Sequence, residues 1–336
     1  MHNDVTKKAS TIVDIAKKAK VTNITVSRAF AHPEMVKKET REKIFKIAKE
    51  LDYKPNLFAK LLKTNESKII GVVTDSTYNQ VYADVVKKLC LESDKKGYSV
   101  MMFETNGNVD AETRAINALV SYKASAIVLS VVNDSKSYDP SYVDLVKAQN
   151  IPLVLLDRDI YTKSLPGVFL NNLELGIKAG QYLSSLDDIE SVVIISGPKD
   201  SMISIDRVEG IKRVFDLTKI KHDILYTSYA YDKAKDDVFN YIKELGYVPS
   251  IIVGLNGPMM MASIGVCRRL SIHKNMRYFS FDEVPYAKDF GYKVPCVLNS
   301  ALEWGDKITK LLFSLIESNN DLASFDRVYI NGKLVV

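Results

Sequence analysis

The 336-residue sequence contains few of the residues that build disulfide frameworks or metal sites. Its three cysteines, Cys90, Cys267 and Cys296, lie far apart, and none of its four histidines has ligand spacing from a cysteine or from another histidine. Cysteines that are sparse and odd in number favour reduced thiols in the core over disulfides. The sequence therefore predicts no structural metal site, no histidine-based catalytic triad and no cofactor.

Long hydrophobic segments and common enzyme motifs are also missing. No apolar run reaches the roughly 18–20 residues that cross a bilayer, and the polar start from Met1 to Ser10 has no signal-peptide core. We therefore expect a cytoplasmic protein with no membrane partner. The sequence has no phosphate-binding loop G-x-x-x-x-G-K-[ST], no G-x-S-x-G elbow and no paired-glycine fingerprint after the first predicted strand. These absences argue against an enzyme such as a sugar kinase or a dehydrogenase.

Charge is distributed unevenly along the chain. Residues 1–67 contain 15 Lys or Arg against 8 Asp or Glu, whereas the rest contains 31 against 33. The length suits two or three domains rather than one. The asymmetry predicts an N-terminal module that binds a polyanion, attached to a body with another task.

Three short amphipathic helices are predicted in the basic segment. Thr11 and Asp14 form a capping-box pattern before the first helix, and Thr22 can cap a second helix after a tight turn. A third helix runs from about Lys38 to Leu51, with apolar residues at the i, i+3, i+4, i+7 spacing of one face. Two helices joined by a tight turn and closed by a third indicate a helix-turn-helix unit. A small helical bundle with a polar surface is the alternative.

In a helix-turn-helix unit the second helix enters the DNA major groove with its first residues against base edges. These residues are Asn23, Ile24 and Thr25, with Ser27 and Arg28 behind them. Amide, hydroxyl and methyl groups read base edges, and Arg28 can pair with guanine or hold a phosphate. The pattern therefore predicts binding to double-stranded DNA.

Residues 55–67 predict a further short helix. Pro55 ends the third helix, and Asn56 can cap two turns rich in leucine. Such a segment cannot bury its apolar side chains in isolation. A DNA minor groove, a second copy of the chain, or the body of the protein could cover it.

From Thr11 to Leu62 the sequence resembles the DNA-binding head and hinge of the lactose-repressor/galactose-repressor (LacI/GalR) family. The matching segments are Asp14-Ile15-Ala16, Ala19 with Val21, Thr25-Val26-Ser27-Arg28, Thr40-Arg41-Glu42-Lys43 and Leu51-Asp52-Tyr53-Lys54-Pro55-Asn56. The resemblance implies a homodimer on a near-palindromic operator, with Leu62 wedged into the minor groove. The candidate DNA contacts are Thr11, Asn23, Ile24, Thr25, Ser27, Arg28, Asn56, Ala59 and Leu62.

From Lys68 onward, ten short apolar runs alternate with helical patterns, which indicates parallel sheets covered on both faces. Ten strands would overfill one compact sheet, so we expect two doubly wound α/β subdomains with a cleft between them, as in periplasmic binding proteins. The expected domains are a head (1–54), a hinge (55–67) and a body (68–336), whose subdomains span about 68–168 plus 300–326 and about 169–299 plus 327–336. An exported solute-binding protein without DNA function is the alternative, against which the basic head argues.

Ligands of such folds bind at the carboxyl ends of the strands. Carboxylates and amides suit sugar hydroxyls, aromatic rings suit sugar faces, and arginine suits a carboxylate or a phosphate. Alternatively, an aspartate that follows a strand can serve as the N-cap of the next helix and make no contact with a ligand. The candidate effector contacts are Asp75, Tyr78, Gln80, Asp157, Arg158, Arg207 (expected to open a helix), Asn256 and Asp282.

The resemblance to the family extends into the body, where it implies that Asp157, Arg207, Asn256 and Asp282 line an effector cleft. The sequence departs from the family pattern at Asn171-Asn172, at Asn256-Gly257 and in the last residues, where no leucine-heptad tail is present and a dimer is favoured over a tetramer.

Two short segments, Asn79-Gln80-Val81-Tyr82 and Pro33-Glu34, resemble gluconate-type repressors. A sugar or a sugar acid such as gluconate is therefore the expected effector. Whether it releases the protein from DNA or acts as a co-repressor is left open.

Overall fold

The computed structural model describes residues 10–54, 67–298, 300–318 and 327–336. Two compact units divide the chain between Ser67 and Lys68, at the expected start of the body. The predicted hinge residues Asn56, Ala59 and Leu62 lie outside the described residues. Within those residues, no helix is long and apolar enough to cross a membrane.

The head contains the three predicted helices, α1 (Ile12–Ala19), α2 (Asn23–Ala31) and α3 (Lys38–Glu50). Thr11 and Asp14 form the predicted capping box at the start of α1. The helix ends at Lys20, whose φ of 58° lets the chain turn sharply into α2. A small core then holds the helices together, built from one apolar face of each: Ile15, Ala16, Ala19, Val26, Ala29, Ile44, Ile47 and Ala48.

The body contains two six-stranded sheets. Ten of their twelve strands were predicted, and β11 and β12 are the two additional ones. The first has the order β11-β5-β4-β3-β1-β2 and is parallel throughout. Its strands are β1 (Ile69–Thr74), β2 (Ser99–Glu104), β3 (Ala126–Leu129), β4 (Leu153–Leu156), β5 (Gly167–Leu170) and β11 (Arg327–Ile330).

The second sheet has the order β12-β10-β9-β8-β6-β7 and is parallel except for β12, which runs antiparallel to β10. Its strands are β6 (Ser191–Ser196), β7 (Lys221–Tyr226), β8 (Ile251–Gly254), β9 (Arg277–Ser280), β10 (Cys296–Leu298) and β12 (Lys333–Val335). The doubly wound two-subdomain body expected from the sequence is confirmed.

The helices of the body pack in pairs within each subdomain. In the first subdomain α4 packs on α11 and α5 on α6; in the second, α7 packs on α8 and α9 on α10. The helices are α4 (Gln80–Lys95), α5 (Val109–Ser121), α6 (Tyr142–Ala148), α7 (Asn172–Ser184), α8 (Met202–Thr218), α9 (Tyr231–Glu244), α10 (Gly257–Arg269) and α11 (Ala301–Glu317).

Three details differ from the sequence expectations. Residues 327–330 were expected in the second subdomain, but they pair in parallel with Gly167–Leu170 at the edge of the first sheet. Arg207 does not open a helix, because α8 begins five residues earlier, behind the capping side chain of Ser201. Cys90 is exposed on α4, whereas Cys267 and Cys296 are buried free thiols as expected.

Glycines set the distance between α7 and α8. A Cβ atom on Gly210 would lie 2.4 Å from the carbonyl oxygen of Leu173, and one on Gly176 would lie 2.4 Å from that of Arg207. Only residues without a side chain allow the two backbones to approach this closely. The contact also places Arg207 on α8 beside Asn172, the first residue of α7.

Candidate DNA-binding surface and effector cavity

Helix α2 divides its residues between the head core and solvent. Val26 and Ala29 are buried, whereas Asn23, Ile24 and Arg28 are exposed. Ile24 is a large apolar side chain that is 63% exposed, which the packing of the head does not explain. The predicted base-reading residues therefore share the solvent side of this helix.

Some hydroxyls in the predicted DNA surface already have partners within the head. The Thr22 hydroxyl accepts from the Thr25 amide at 3.2 Å and lies 2.9 Å from the Thr25 hydroxyl. The Thr11 hydroxyl donates to Asp14 at 2.7 Å. Ser27 is half-buried, whereas the guanidinium of Arg28 forms no ion pair with the described residues. Arg28 is therefore the best placed of these side chains to contact DNA.

A cavity of about 440 Å³ opens between the two sheets of the body. The carboxyl ends of the parallel strands meet there, which is where this class of fold binds ligands. The cavity is lined by seven of the eight candidate effector contacts: Asp75, Tyr78, Asp157, Arg158, Arg207, Asn256 and Asp282. The eighth, Gln80, is exposed at the start of α4 and lines a separate surface groove.

Arg158 forms a buried hydrogen-bonded cluster at the end of β4. Its Nη2 donates to the Asp75 carboxylate at 3.0 Å, and its Nη1 donates to the carbonyl oxygens of Val131 and Val132. The guanidinium lies 4.7 Å from the ring centre of Tyr229, in the other subdomain. Its Nε is buried without a hydrogen-bond partner among the described residues.

Asp157 lies beside this cluster and has a strained backbone, with a φ of 68°. One carboxylate oxygen accepts from the Tyr82 hydroxyl at 2.6 Å, and the Ser130 hydroxyl donates in turn to Tyr82 at 3.1 Å. The other oxygen is buried and has no partner within the described chain. Burial raises the pKa of the Asp157 carboxyl, and the positive charge of Arg207 offsets part of this rise.

Arg207 enters the cavity wall from the second subdomain and is also buried. Its Nε donates to the Asn172 side chain at 2.8 Å, and its Nη1 donates to the carbonyl oxygen of Leu255. The guanidinium lies 5.1 Å from the ring centre of Phe281. These contacts fix the orientation of the side chain and leave its Nη2 without a hydrogen bond to the described residues.

Asn256 and Asp282 have structural roles at the start of α10. Asn256 accepts from the Met259 amide at 2.8 Å and donates to the carbonyl oxygen of Tyr229 at 3.1 Å, so both ends of its amide are occupied. Asp282 accepts from the Gly257 amide at 3.2 Å and from the Asn79 side chain at 3.3 Å. Asn256 therefore acts as the N-cap of α10, and its side chain has no unpaired group left for a ligand contact.

Among the described residues, two aspartates accept hydrogen bonds from the opposite subdomain. Asp282, in the second subdomain, accepts from Asn79 of the first. Asp134, which follows β3 in the first subdomain, accepts from the Ser201 hydroxyl at 3.0 Å and from the Ile203 amide at 3.1 Å. Burial raises the pKa of the Asp134 carboxyl. The subdomains are thus held together by polar groups that a rearrangement of the cavity would separate.

Several lining residues were missed at the level of sequence. Tyr229 lies three residues after the end of β7. A search for polar residues that follow predicted strands could therefore have found it. Tyr82 and Trp304 lie within α4 and α11 and are buried, so their sequence pattern is that of ordinary core residues. Only the packing of these helices brings the two rings to the cavity.

The comparisons with known proteins agree with this architecture. The family "Bacterial regulatory proteins, lacI family" matches residues 11–56, and "Periplasmic binding protein domain" matches residues 69–276. The transcriptional regulator RegA of Clostridium saccharobutylicum is 24% identical over 313 residues, which cover 92% of this chain and 93% of that protein.

Two solved structures share the fold over nearly the whole chain. The lac repressor dimer bound to operator and an anti-inducer is 20% identical, covers 98% of each chain and has a TM-score of 0.76. A complex of the transcriptional regulator CelR with cellobiose is 18% identical, covers 97% of this chain and 98% of the other, and has a TM-score of 0.68.

A helix-turn-helix head followed by a periplasmic-binding-protein-like body defines a class of DNA-binding transcription regulators. The chain belongs to the LacI family of bacterial regulatory proteins. The resemblance noted in the sequence is thereby confirmed.

Proposed function

We propose that this protein is a homodimeric, cytoplasmic repressor and not an enzyme. Its head binds operator DNA, and a sugar or sugar acid bound between the two subdomains controls its affinity for that DNA. The proposed effector contacts are the cavity residues Asp75, Tyr78, Asp157, Arg158, Arg207 and Asp282. Gln80 and Asn256 are left out, because one lies outside the cavity and the other caps α10.

One observation supports a polyhydroxylated ligand above all. The cavity wall brings together carboxylates and guanidinium groups from both subdomains, those of Asp75, Asp157, Arg158, Arg207 and Asp282. A hydroxyl can donate to a carboxylate and accept from a guanidinium. A sugar carries several hydroxyls on one ring and can contact both kinds of group together.

The position of Arg207 favours a sugar acid over a neutral sugar. Its guanidinium is buried and held by Asn172 and Leu255, yet Nη2 has no described partner. A guanidinium that is oriented in advance binds a carboxylate with charge-assisted hydrogen bonds.

The DNA part of the proposal is supported by the head. Its exposed α2 face carries Asn23, Ile24 and Arg28, and basic residues flank it. The lac repressor, whose fold matches this chain, was solved as a dimer on operator DNA. In such dimers, the spacing of the two heads matches two successive half-sites of the operator.

Thermal melting against gluconate, glucose and gluconate 6-phosphate tests the effector. At 100 times its Kd, a ligand stabilises the native state by about 2.7 kcal/mol, which raises Tm by roughly 5–10 °C in a domain of this size. We expect this rise with the sugar acid and a much smaller one with glucose. Equal rises with both would contradict the role of Arg207, and a rise with glucose alone would reject the sugar acid.

Variants assign the effect to the cavity. Arg207→Lys keeps a positive charge but loses the fork geometry, so it should weaken gluconate binding more than glucose binding. Gln80→Ala is the matched control, since Gln80 was a sequence candidate that lies outside the cavity, and its Tm shift should equal that of the wild type. If gluconate raised the Tm of Arg207→Lys as much as that of the wild type, Arg207 would not be the residue that binds the carboxylate. Operator binding measured with and without gluconate then gives the direction of regulation.

A further inference from the structure

A second cavity, of about 620 Å³, lies at the opposite end of the second sheet. The wall contains Ile251 and Arg277, the first residues of the parallel neighbours β8 and β9. The effector cavity lies at the carboxyl ends of these strands, so the two cavities are on opposite edges of one sheet. The second cavity therefore cannot be an extension of the first.

This second cavity is lined by positive charge. Arg268, Lys274, Arg277 and Lys293 contribute to its wall together with His273, and no carboxylate side chain does so among the described residues. None of the four Lys and Arg side chains forms an ion pair with a described residue, although Lys and Arg form twelve such pairs elsewhere in the described chain. Uncompensated cations around a concavity attract anions.

Part of the wall is held in place before any ligand binds. Arg277 donates to the carbonyl oxygens of Asp187 and Asp188 at 2.8 and 2.7 Å, which fixes its guanidinium. Its remaining N–H groups have no acceptor among the described residues and are free to donate, and a guanidinium fixed in this way is a suitable donor for phosphate oxygens.

Aromatic rings complete the wall. Tyr182, Tyr278 and Tyr292 line it, and the last two rings pack edge to face with centroids 6.1 Å apart. Phe290 is 74% exposed at the cavity, so its ring face is available to a ligand. Planar rings stack on such side chains, as nucleic-acid bases do.

We infer that this cavity, which we call the basal site, binds a small organic phosphate that carries a planar ring, the chemistry of a mononucleotide. The cations would hold the phosphate, and the aromatic side chains, Phe290 first, would stack on the ring. The inference does not depend on the identity of the effector, because the two cavities share no residue.

The cations also have a simpler explanation. Arg268 lies in the last turn of α10, where a positive charge offsets the negative end of the helix dipole. This explanation does not extend to Lys293, which lies on the loop before β10, nor to the aromatic rings. It predicts no bound nucleotide, so a binding measurement separates the two explanations.

Isothermal titration calorimetry on the full chain provides the test, with AMP, GMP, CMP and UMP titrated separately. At least one of these nucleotides should bind. Adenosine alone and inorganic phosphate alone should each bind at least about tenfold more weakly than that nucleotide. Arg268→Ala combined with Lys293→Ala should weaken nucleotide binding by about tenfold or more, because two charge-assisted contacts are lost. Phe290→Leu should weaken it by removing the stacking surface while keeping an apolar side chain.

Two control variants separate the basal site from general attraction to positive charge. Arg114→Ala with Lys147→Ala removes two exposed cations from the first subdomain, and Lys17→Ala with Lys20→Ala removes two from the head. Both should bind nucleotide like the wild type. The inference is overturned if no mononucleotide binds at millimolar concentration, if the basal variants bind like the wild type, or if inorganic phosphate binds as tightly as every nucleotide.

Discussion

The close contact between α7 and α8 makes Gly210 a sensitive position. In Gly210→Ala the new Cβ would lie 2.4 Å from the Leu173 carbonyl oxygen and 2.7 Å from the Gly176 Cα. Favourable carbon contacts begin near about 3.5 Å, so the helices must separate by roughly 1 Å. Both neighbours are backbone atoms, which cannot move aside by a rotamer change.

The expected cost of this substitution follows from two opposing effects. Alanine in place of glycine favours a helix by about 1 kcal/mol, whereas overpacking of a close-packed core costs about 1–3 kcal/mol and sometimes more. Because the contact involves two backbones, we expect the cost to be the larger effect. Tm should then fall by several degrees, since about 1 kcal/mol corresponds to roughly 2–4 °C in a domain of this size. The separation also lengthens the hydrogen bond between Arg207 and Asn172, so effector affinity should fall.

Gly265→Ala is the matched control for this experiment. Gly265 also lies inside a helix, α10, but a Cβ there meets only the Tyr231 hydroxyl, at 3.9 Å. The same gain in helix propensity should therefore leave Tm unchanged or raise it slightly. Equal Tm values for Gly210→Ala and Gly265→Ala, measured by differential scanning calorimetry, would refute the reasoning.

Three further predictions concern DNA binding and the contacts between the subdomains. Arg28→Ala should weaken operator binding by about 1–3 kcal/mol if Arg28 reads a base; fluorescence anisotropy that shows the same loss on random DNA would mean that it contacts phosphate alone. Lys17→Ala should reduce the dependence of log affinity on log salt concentration by about one, and an unchanged slope would place Lys17 away from the DNA. Asp134→Asn should flatten the pH dependence of Tm above about pH 4, the ordinary pKa of an aspartate. Burial raises the pKa of Asp134 in the folded chain, so the folded state holds this proton more tightly than the unfolded state and loses stability as pH rises. Melting curves in which the variant and the wild type depend equally on pH would exclude this contribution.

Much of the head could be predicted from sequence, because its signals are local. The capping pattern of Thr11 and Asp14, the turn at Lys20 and the spacing of apolar residues all act within a few positions. These signals located the three helices nearly to the residue. The same reasoning could not show that the Thr25 hydroxyl is shared with Thr22, since this depends on side-chain rotamers.

The effector cavity was partly predictable for a topological reason. In parallel sheets the strand ends meet on one edge, so residues after the strands, such as Asp75, Asp157 and Asp282, converge. The rule fails for Gln80, because a shift of one residue at the start of a helix turns a side chain by about 100°. It also misses Tyr82 and Trp304, which reach the cavity from inside helices.

Sequence alone determined the order of head and body, the doubly wound class of the body and the family to which the chain belongs. These properties follow from periodicity, capping residues and charge, which act over short distances along the chain. Tertiary structure alone decided that Arg327–Ile330 completes the first sheet, that Asn256 caps a helix and that Asp134 joins the two subdomains. It also brought the cations of the basal site together from α10, β9 and the loop before β10. Each of these contacts joins residues distant in sequence, and only the packing of the sheets and helices determines which of them meet.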